Sequence, residues 1–236
     1  MDSSTELDHP AVHALAGPHH DLGTARGRVA RYRASVAPFA ALPADASAAD
    51  WEDLGSLAGD EAVALFGVPF DVPDNWETLE EIDAVQMVAP RRFGLEPTDA
   101  TRDSVARLSL DDSDAMLDLA EQTHPGPFAT ETALMGAYYG VWEEGELVAM
   151  AGERLTTPSW AEISAVCTRE SHRGRGLATR LMAAVAAGSW AQDRTPFLHV
   201  VATNVTAIQL YVHLGFTVRT GENRVQVVRR REDGRG

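Results

Sequence analysis

The chain has 236 residues, 44% of them hydrophobic, a formal net charge of −15 and one cysteine, Cys167. This length supports one large domain or two small lobes with a real core. The acidic balance argues against general nucleic-acid binding, which needs cationic surface against phosphate, and a single cysteine excludes a disulfide framework and a cysteine-based metal site.

An acidic balance suits a cationic or amine substrate, although solubility alone accounts for it. All 20 basic residues are arginines, which removes lysine Schiff-base chemistry and any lysine-dependent phosphate loop. Arg180 interrupts the best apolar stretch, so no membrane span is expected. The acidic N-terminus lacks the apolar segment of a secretory signal, and a cytoplasmic protein is expected.

In chain order, residues 1–24 hold His9, His13, His19 and His20 with little periodicity and read as a short helix or loop. His9 and His13 have helical spacing, but Pro10 and Gly17-Pro18 break regularity, and no metal site is expected. Residues 29–36 alternate as a strand, and 48–57 form a helix with Trp51, Leu54 and Leu57 on one face. Residues 61–66 and 82–88 read as strands around a Pro/Asp/Asn-rich turn. The Pro/Arg-rich stretch at 91–103 is the expected linker, dividing an N-terminal lobe at 1–90 from a second domain at 104–230.

Beyond it, 105–110 reads as a strand, with a helix capped by residues 111–113 and stopped by Pro125-Gly126-Pro127. Residues 130–135 start a second short helix, and Glu143-Glu144-Gly145 turns a hairpin between strands at 138–142 and 146–155. A strand at 160–168 precedes a helix running to Trp190. A strand at 196–201 precedes a helix from Asn204 that Gly215 ends, and short strands at 216–219 and 225–228 close the chain.

Between strand 160–168 and its helix lies Arg173-Gly174-Arg175-Gly176-Leu177-Ala178-Thr179. Two glycines allow a tight turn, and the helix that follows offers unpaired N–H groups and the positive end of its dipole. This is an anion site suited to phosphate or pyrophosphate. Taken alone it is also a plain strand-to-helix turn. A nucleotide-hydrolysing phosphate loop needs a lysine the chain lacks. A dinucleotide fold wants a third glycine where Thr179 stands, and Asp193 precedes the next strand instead of ending it. A second segment, Asn204-Val205-Thr206-Ala207 through Leu210-Tyr211 to Gly215-Phe216, follows. Asn204 is an N-cap or an amide ligand, and Tyr211 lies two turns on, roughly on the same face.

In this order and spacing the two segments resemble the GNAT superfamily of acyl-CoA-dependent N-acyltransferases, from about residue 105 to 228. Residues 1–90 look at most like a degenerate half-copy that shapes the acceptor site. The resemblance implies an α/β fold with a mixed, mostly antiparallel sheet and helices on both faces. The sheet would splay where the cofactor sits, between strands 160–168 and 196–201. It implies acetyl-CoA as co-substrate, its pyrophosphate held by the N–H groups of 174–179 with Arg173 and Arg175 adding charge. Val166, Cys167 and Thr168 would pair with the pantetheine arm, an N–H near Val166 would polarise the thioester carbonyl, and Asn204 and Ala207 would line the arm. Tyr211 would protonate the departing thiolate while a neutral amine attacks directly. For the base, the family's carboxylate position holds His199, with Glu162 second and Glu153 third. The acceptor is a small-molecule or peptide amine. Dimerisation is a family habit that no feature of this sequence carries. A non-catalytic acyl-CoA-binding sensor module is the rival reading.

Overall fold

The computed structural model describes residues 3–90, 105–219 and 221–231. The expected linker at 91–103 lies outside them. The elements are a 3-10 turn (Ser3–Leu7), α1 (Pro10–Leu15), β1 (Gly23–Arg26), β2 (Val29–Tyr32), β3 (Phe39–Ala41), α2 (Ala48–Ala58), β4 (Val63–Gly67) and β5 (Trp76–Val88). After the undescribed stretch come β6 (Ala106–Leu108), α3 (Ser113–Thr123), β7 (Tyr138–Glu143), β8 (Glu146–Thr156), β9 (Trp160–Thr168) and α4 (Leu177–Trp190). The chain closes with β10 (Thr195–Val201), α5 (Val205–His213), β11 (Thr217–Val218) and β12 (Asn223–Arg230).

All strands join one sheet in the order β1-β2-β3-β4-β12-β5-β10-β9-β8-β7-β6, with β11 also on β5. Only β3–β4 and β9–β10 pair in parallel. The two ends of the chain exchange strands. β12 lies between β4 and β5, and β5 lies between β12 and β10. The ladder therefore runs unbroken between residues before and after the expected linker.

Helices cover both faces because the strands alternate. On β4, Val63 and Leu65 pack under Trp51, Leu54 and Ala58 of α2, whereas Ala64 and Phe66 pack under Ala11, Ala14 and Leu15 of α1. On β8, Ala149 and Ala151 join Leu181, Met182 and Val185 of α4, whereas Met150 joins Met116 and Leu119 of α3.

Several boundaries move for local reasons. β2 stops at Tyr32 because the Val36 N–H turns back to the Arg33 carbonyl. β6 is short because Ser109 opens a 3-10 turn at Leu110–Asp112 in a reciprocal cap with Asp112, and Asp112, within the expected 111–113, is the N-cap of α3. The segment at 130–135 is a 3-10 turn at Thr132–Met135. β5 starts six residues before the expected 82, its exposed acids paired across to β12: Glu77 with Arg229, Glu81 and Asp83 with Arg224.

Candidate active site

β9 and β10 pair only where Thr195, Pro196 and Phe197 face Trp160, Ala161 and Glu162. Beyond that point β10 follows β5 and β9 follows β8, so the sheet opens between them. β9 is also irregular there. Met150 pairs with Cys167 and Gly152 with Ser164, so Ala165 and Val166 stand opposite Ala151 alone. Ala165 takes φ +51°. This bulge breaks the ladder and re-aims the backbone around Val166. Cys167 and Thr168 return to register with β8. The Cys167 thiol is buried on α3, and burial pushes its pKa up to about 11, which leaves it inert.

The glycine turn follows β9 through a 3-10 turn at Glu170–His172. Gly174 and Gly176 take φ +77° and +73°, and no atom lies within 4 Å of where either side chain would begin. Gly176 is the N-cap of α4, and no side chain caps that helix. Its first-turn N–H groups, at Leu177, Ala178 and Thr179, therefore face a shallow, open cradle suited to an anion. Arg173 is exposed; its backbone N–H donates to the Glu170 carbonyl and its side chain to the Thr168 carbonyl. Arg175 is turned aside onto Glu143.

Asn204 caps α5, its Oδ1 accepting from the Ala207 N–H at 3.1 Å, so the cap uses the oxygen and leaves Nδ2 for another partner. Ala207 and Tyr211 pack on the cluster that α4 shares with Leu198 and Val200, as does Val166 of β9. Tyr211 sits 5.8 Å from the Phe216 ring. Burial raises the Tyr211 phenol above its ordinary pKa, so it holds its proton at neutral pH.

On the opposite face, Glu162 and His199 meet. Arg154 donates Nε and Nη2 to the two oxygens of Glu162 at 2.9 and 2.5 Å. His199 Nδ1 bonds Glu162 Oε1 at 2.7 Å, and its Nε2 lies 2.9 Å from the Gln86 amide nitrogen. That amide nitrogen also donates to the Leu7 carbonyl, while Arg219 donates to the Gln86 oxygen, which fixes the amide's orientation. Nε2 of His199 thus faces a donor and Nδ1 faces an acceptor. Burial alone would raise the Glu162 pKa; the Arg154 guanidinium and the His199 bond outweigh it and hold the carboxyl at about 2. Arg154 also lies over the Phe66 and Phe39 rings at 4.8 and 5.2 Å. Glu153, the third candidate base, accepts from the Ala137 N–H and the Ser189 hydroxyl and braces β8 against α4.

The structure therefore gathers the sequence-derived residues into two groups. Val166, the glycine turn, Asn204, Ala207 and Tyr211 belong to the opened side of the sheet. Glu162 and His199 belong to a sealed polar chain on the other. Arg154 and Gln86, which complete that chain, carry no motif; their only sequence signal is a charge and an amide inside otherwise apolar strands.

This buried chemistry is expected to make the fold acid-labile. Nearby, buried His19 bonds the Tyr32 hydroxyl at 2.8 Å, and burial lowers its pKa to about 4 from 6.5. Between those values the unfolded chain binds a proton that the folded chain does not, so stability falls as pH drops from 6.5 to 4. Glu162, held at about 2 against 4.5, adds a loss of the same sign between 4.5 and 2. Urea titrations are expected to show a midpoint falling steadily below pH 6.5, and His19→Gln should flatten the upper limb.

The comparisons with known proteins agree with this geometry. The model of the FR47-like protein family matches residues 138–225. A GNAT-family structure from Novosphingobium aromaticivorans is 35% identical over 96% of this chain and 99% of its own, with a TM-score of 0.85. This chain belongs to the GNAT family. Two other GNAT proteins share the fold alone. One, a GCN5-related N-acetyltransferase from Kribbella flavida, is 17% identical with a TM-score of 0.57, covering 93% of this chain and 95% of its own. The other, an acetyltransferase from Colwellia psychrerythraea, is 19% identical with a TM-score of 0.50, covering 65% of this chain and 58% of its own. No curated protein matches. GNAT membership agrees with the mostly antiparallel open sheet, and among the described residues no helix is long and apolar enough to cross a membrane.

Proposed function

We propose that this GNAT protein transfers an acetyl group from acetyl-CoA to a primary amine of a small molecule or peptide. The observation that carries the reading is the uncapped N-terminus of α4, reached through two left-handed glycines beside the parting of β9 and β10. The N–H groups at 174–179 hold the pyrophosphate, and the strand from Val166 to Thr168 lines the pantetheine with Asn204 and Ala207. The amine nitrogen bonds to the acyl carbon and the carbon–sulfur bond breaks. The Tyr211 hydroxyl gives its proton to the leaving sulfur, while the amine's proton passes to a base. The two leading candidates for that base, His199 and Glu162, are both buried and bonded to each other, so either acts only once the chain from Arg154 through Glu162 and His199 to Gln86 rearranges.

A second reading, an acyl-CoA-binding sensor without turnover, draws on the occupation of both His199 ring nitrogens. Titration calorimetry with acetyl-CoA, with NAD as control, followed by thiol release across an amine panel, separates the two. Tyr211→Phe is expected to lower kcat about 100-fold while acetyl-CoA still binds. Binding without turnover of any amine supports the sensor, and no acetyl-CoA binding rejects both readings.

A further inference from the structure

The glycine turn has almost nothing of its own to hold it. Arg173, Gly174, Arg175 and Gly176 are all exposed, and both glycine positions are open to solvent. Two glycines give a segment large conformational freedom in the unbound state, so a cradle that is ready for an anion needs outside restraint. That restraint comes from the tip of the β7–β8 hairpin. Glu143, the last residue of β7, accepts from Arg175 Nη1 and Nη2 at 2.9 and 2.6 Å. The same carboxylate lies 3.3 Å from His172 Nε2. One side chain thus grips the residues on both sides of Arg173-Gly174. His172 is braced in turn by the Ser171 hydroxyl at 2.8 Å.

The hairpin holds the entry to the turn as well. Arg169 pairs with Glu146, the first residue of β8, and with Asp118 of α3. Between Glu143 and Glu146 the reversal is tight, with Glu144 and Gly145 both at positive φ, so the two acids are presented from a stiff support. Among the described residues, two side chains from outside the segment bond residues 171–176: Glu143, which holds the His172 and Arg175 side chains, and Arg180 of α4, whose Nη2 donates to the Arg175 carbonyl at 3.1 Å.

We infer that Glu143 is a positioning residue for acyl-CoA binding, a strap that sets the glycine turn in its anion-receiving shape before the ligand arrives. The inference rests on the proposed acyl-CoA chemistry of that turn. The Arg175 charge is spent on the strap, not on the ligand; the backbone amides and Arg173 face the anion. Simple charge arithmetic makes the opposite forecast, since a carboxylate near the cradle repels phosphate and its removal should tighten binding. The two views therefore disagree in sign.

The test uses the full chain with Glu143→Ala and Glu143→Gln. Under the strap, E143A weakens acetyl-CoA binding about 10-fold by calorimetry, the worth of one charge-assisted bidentate contact. E143Q recovers part of this, because an amide oxygen still accepts from Arg175. KM for acetyl-CoA rises while kcat at saturation holds. Without ligand, amide hydrogen exchange at 171–177 speeds up in E143A, with the melting temperature almost unchanged. Unchanged or tighter binding in E143A overturns the inference. Wild type that fails to bind acetyl-CoA overturns the parent reading instead, and the exchange comparison then decides on its own whether Glu143 orders the turn.

Discussion

Replacing Arg154 with alanine is expected to destabilise the fold by about 3–5 kcal/mol, the cost of stranding a buried charge. Glu162 has no exposed surface, and among the described residues Arg154 is the arginine that touches it. The substitution also removes a cation that lies over two aromatic rings, a smaller loss of about 1 kcal/mol. The double variant R154M/E162Q is expected to regain much of the loss, since it leaves no bare ion. Denaturant titrations of the single and double variants measure both. A loss below about 1 kcal/mol in R154A, the range of a solvent-screened surface pair, would show that the pair is hydrated, contrary to the burial described here.

A chain starting at residue 105 is expected not to fold. It retains every segment that bears a family motif, yet it lacks β5, the antiparallel partner of β10 along Phe197–Val201, and both partners of β12. Gln86 and Leu7 leave with it, so His199 loses the donor that fixes its ring. Met87 leaves the cluster that supports Leu198, Val200 and α4. The remnant would expose one edge of β10, both edges of β12 and part of its core, the condition for aggregation. Circular dichroism and gel filtration of that fragment check this, and a soluble fragment with a cooperative melt would contradict it. Supplying residues 1–90 in trans is the informative complement, because the exchanged strands are the junction the two pieces would have to rebuild.

Much of the opened side of the sheet was legible in the sequence because its signals are local. Strand 160–168, the glycine turn, the helix to Trp190 and the segment from Asn204 to Gly215 all carry their own punctuation. What escaped was set by distant partners. The run Glu77-Thr78-Leu79-Glu80-Glu81 reads as a polar loop until Arg224 and Arg229 are placed across from it. β3, only three residues long, is defined by its neighbours β2 and β4. The bulge at Ala165 has no signal, since alanine gives no hint of a left-handed backbone. Glu162 and His199 were visible as strand residues with titratable groups. That each would be occupied by the other, by Arg154 and by Gln86 depends on strand register, which no short window of sequence contains.

The placement of β12 bears on how the chain is made. During synthesis the N-terminal elements emerge first, yet β4 and β5 are not joined until β12, far later in the chain, slides in between them. Until residues 223–230 have emerged, β4 and β5 each keep an open edge and the centre of the sheet cannot close. Such distant pairing is slow to form. The yield of folded protein should therefore depend on chaperone supply and temperature during expression more than on the final stability of the native state.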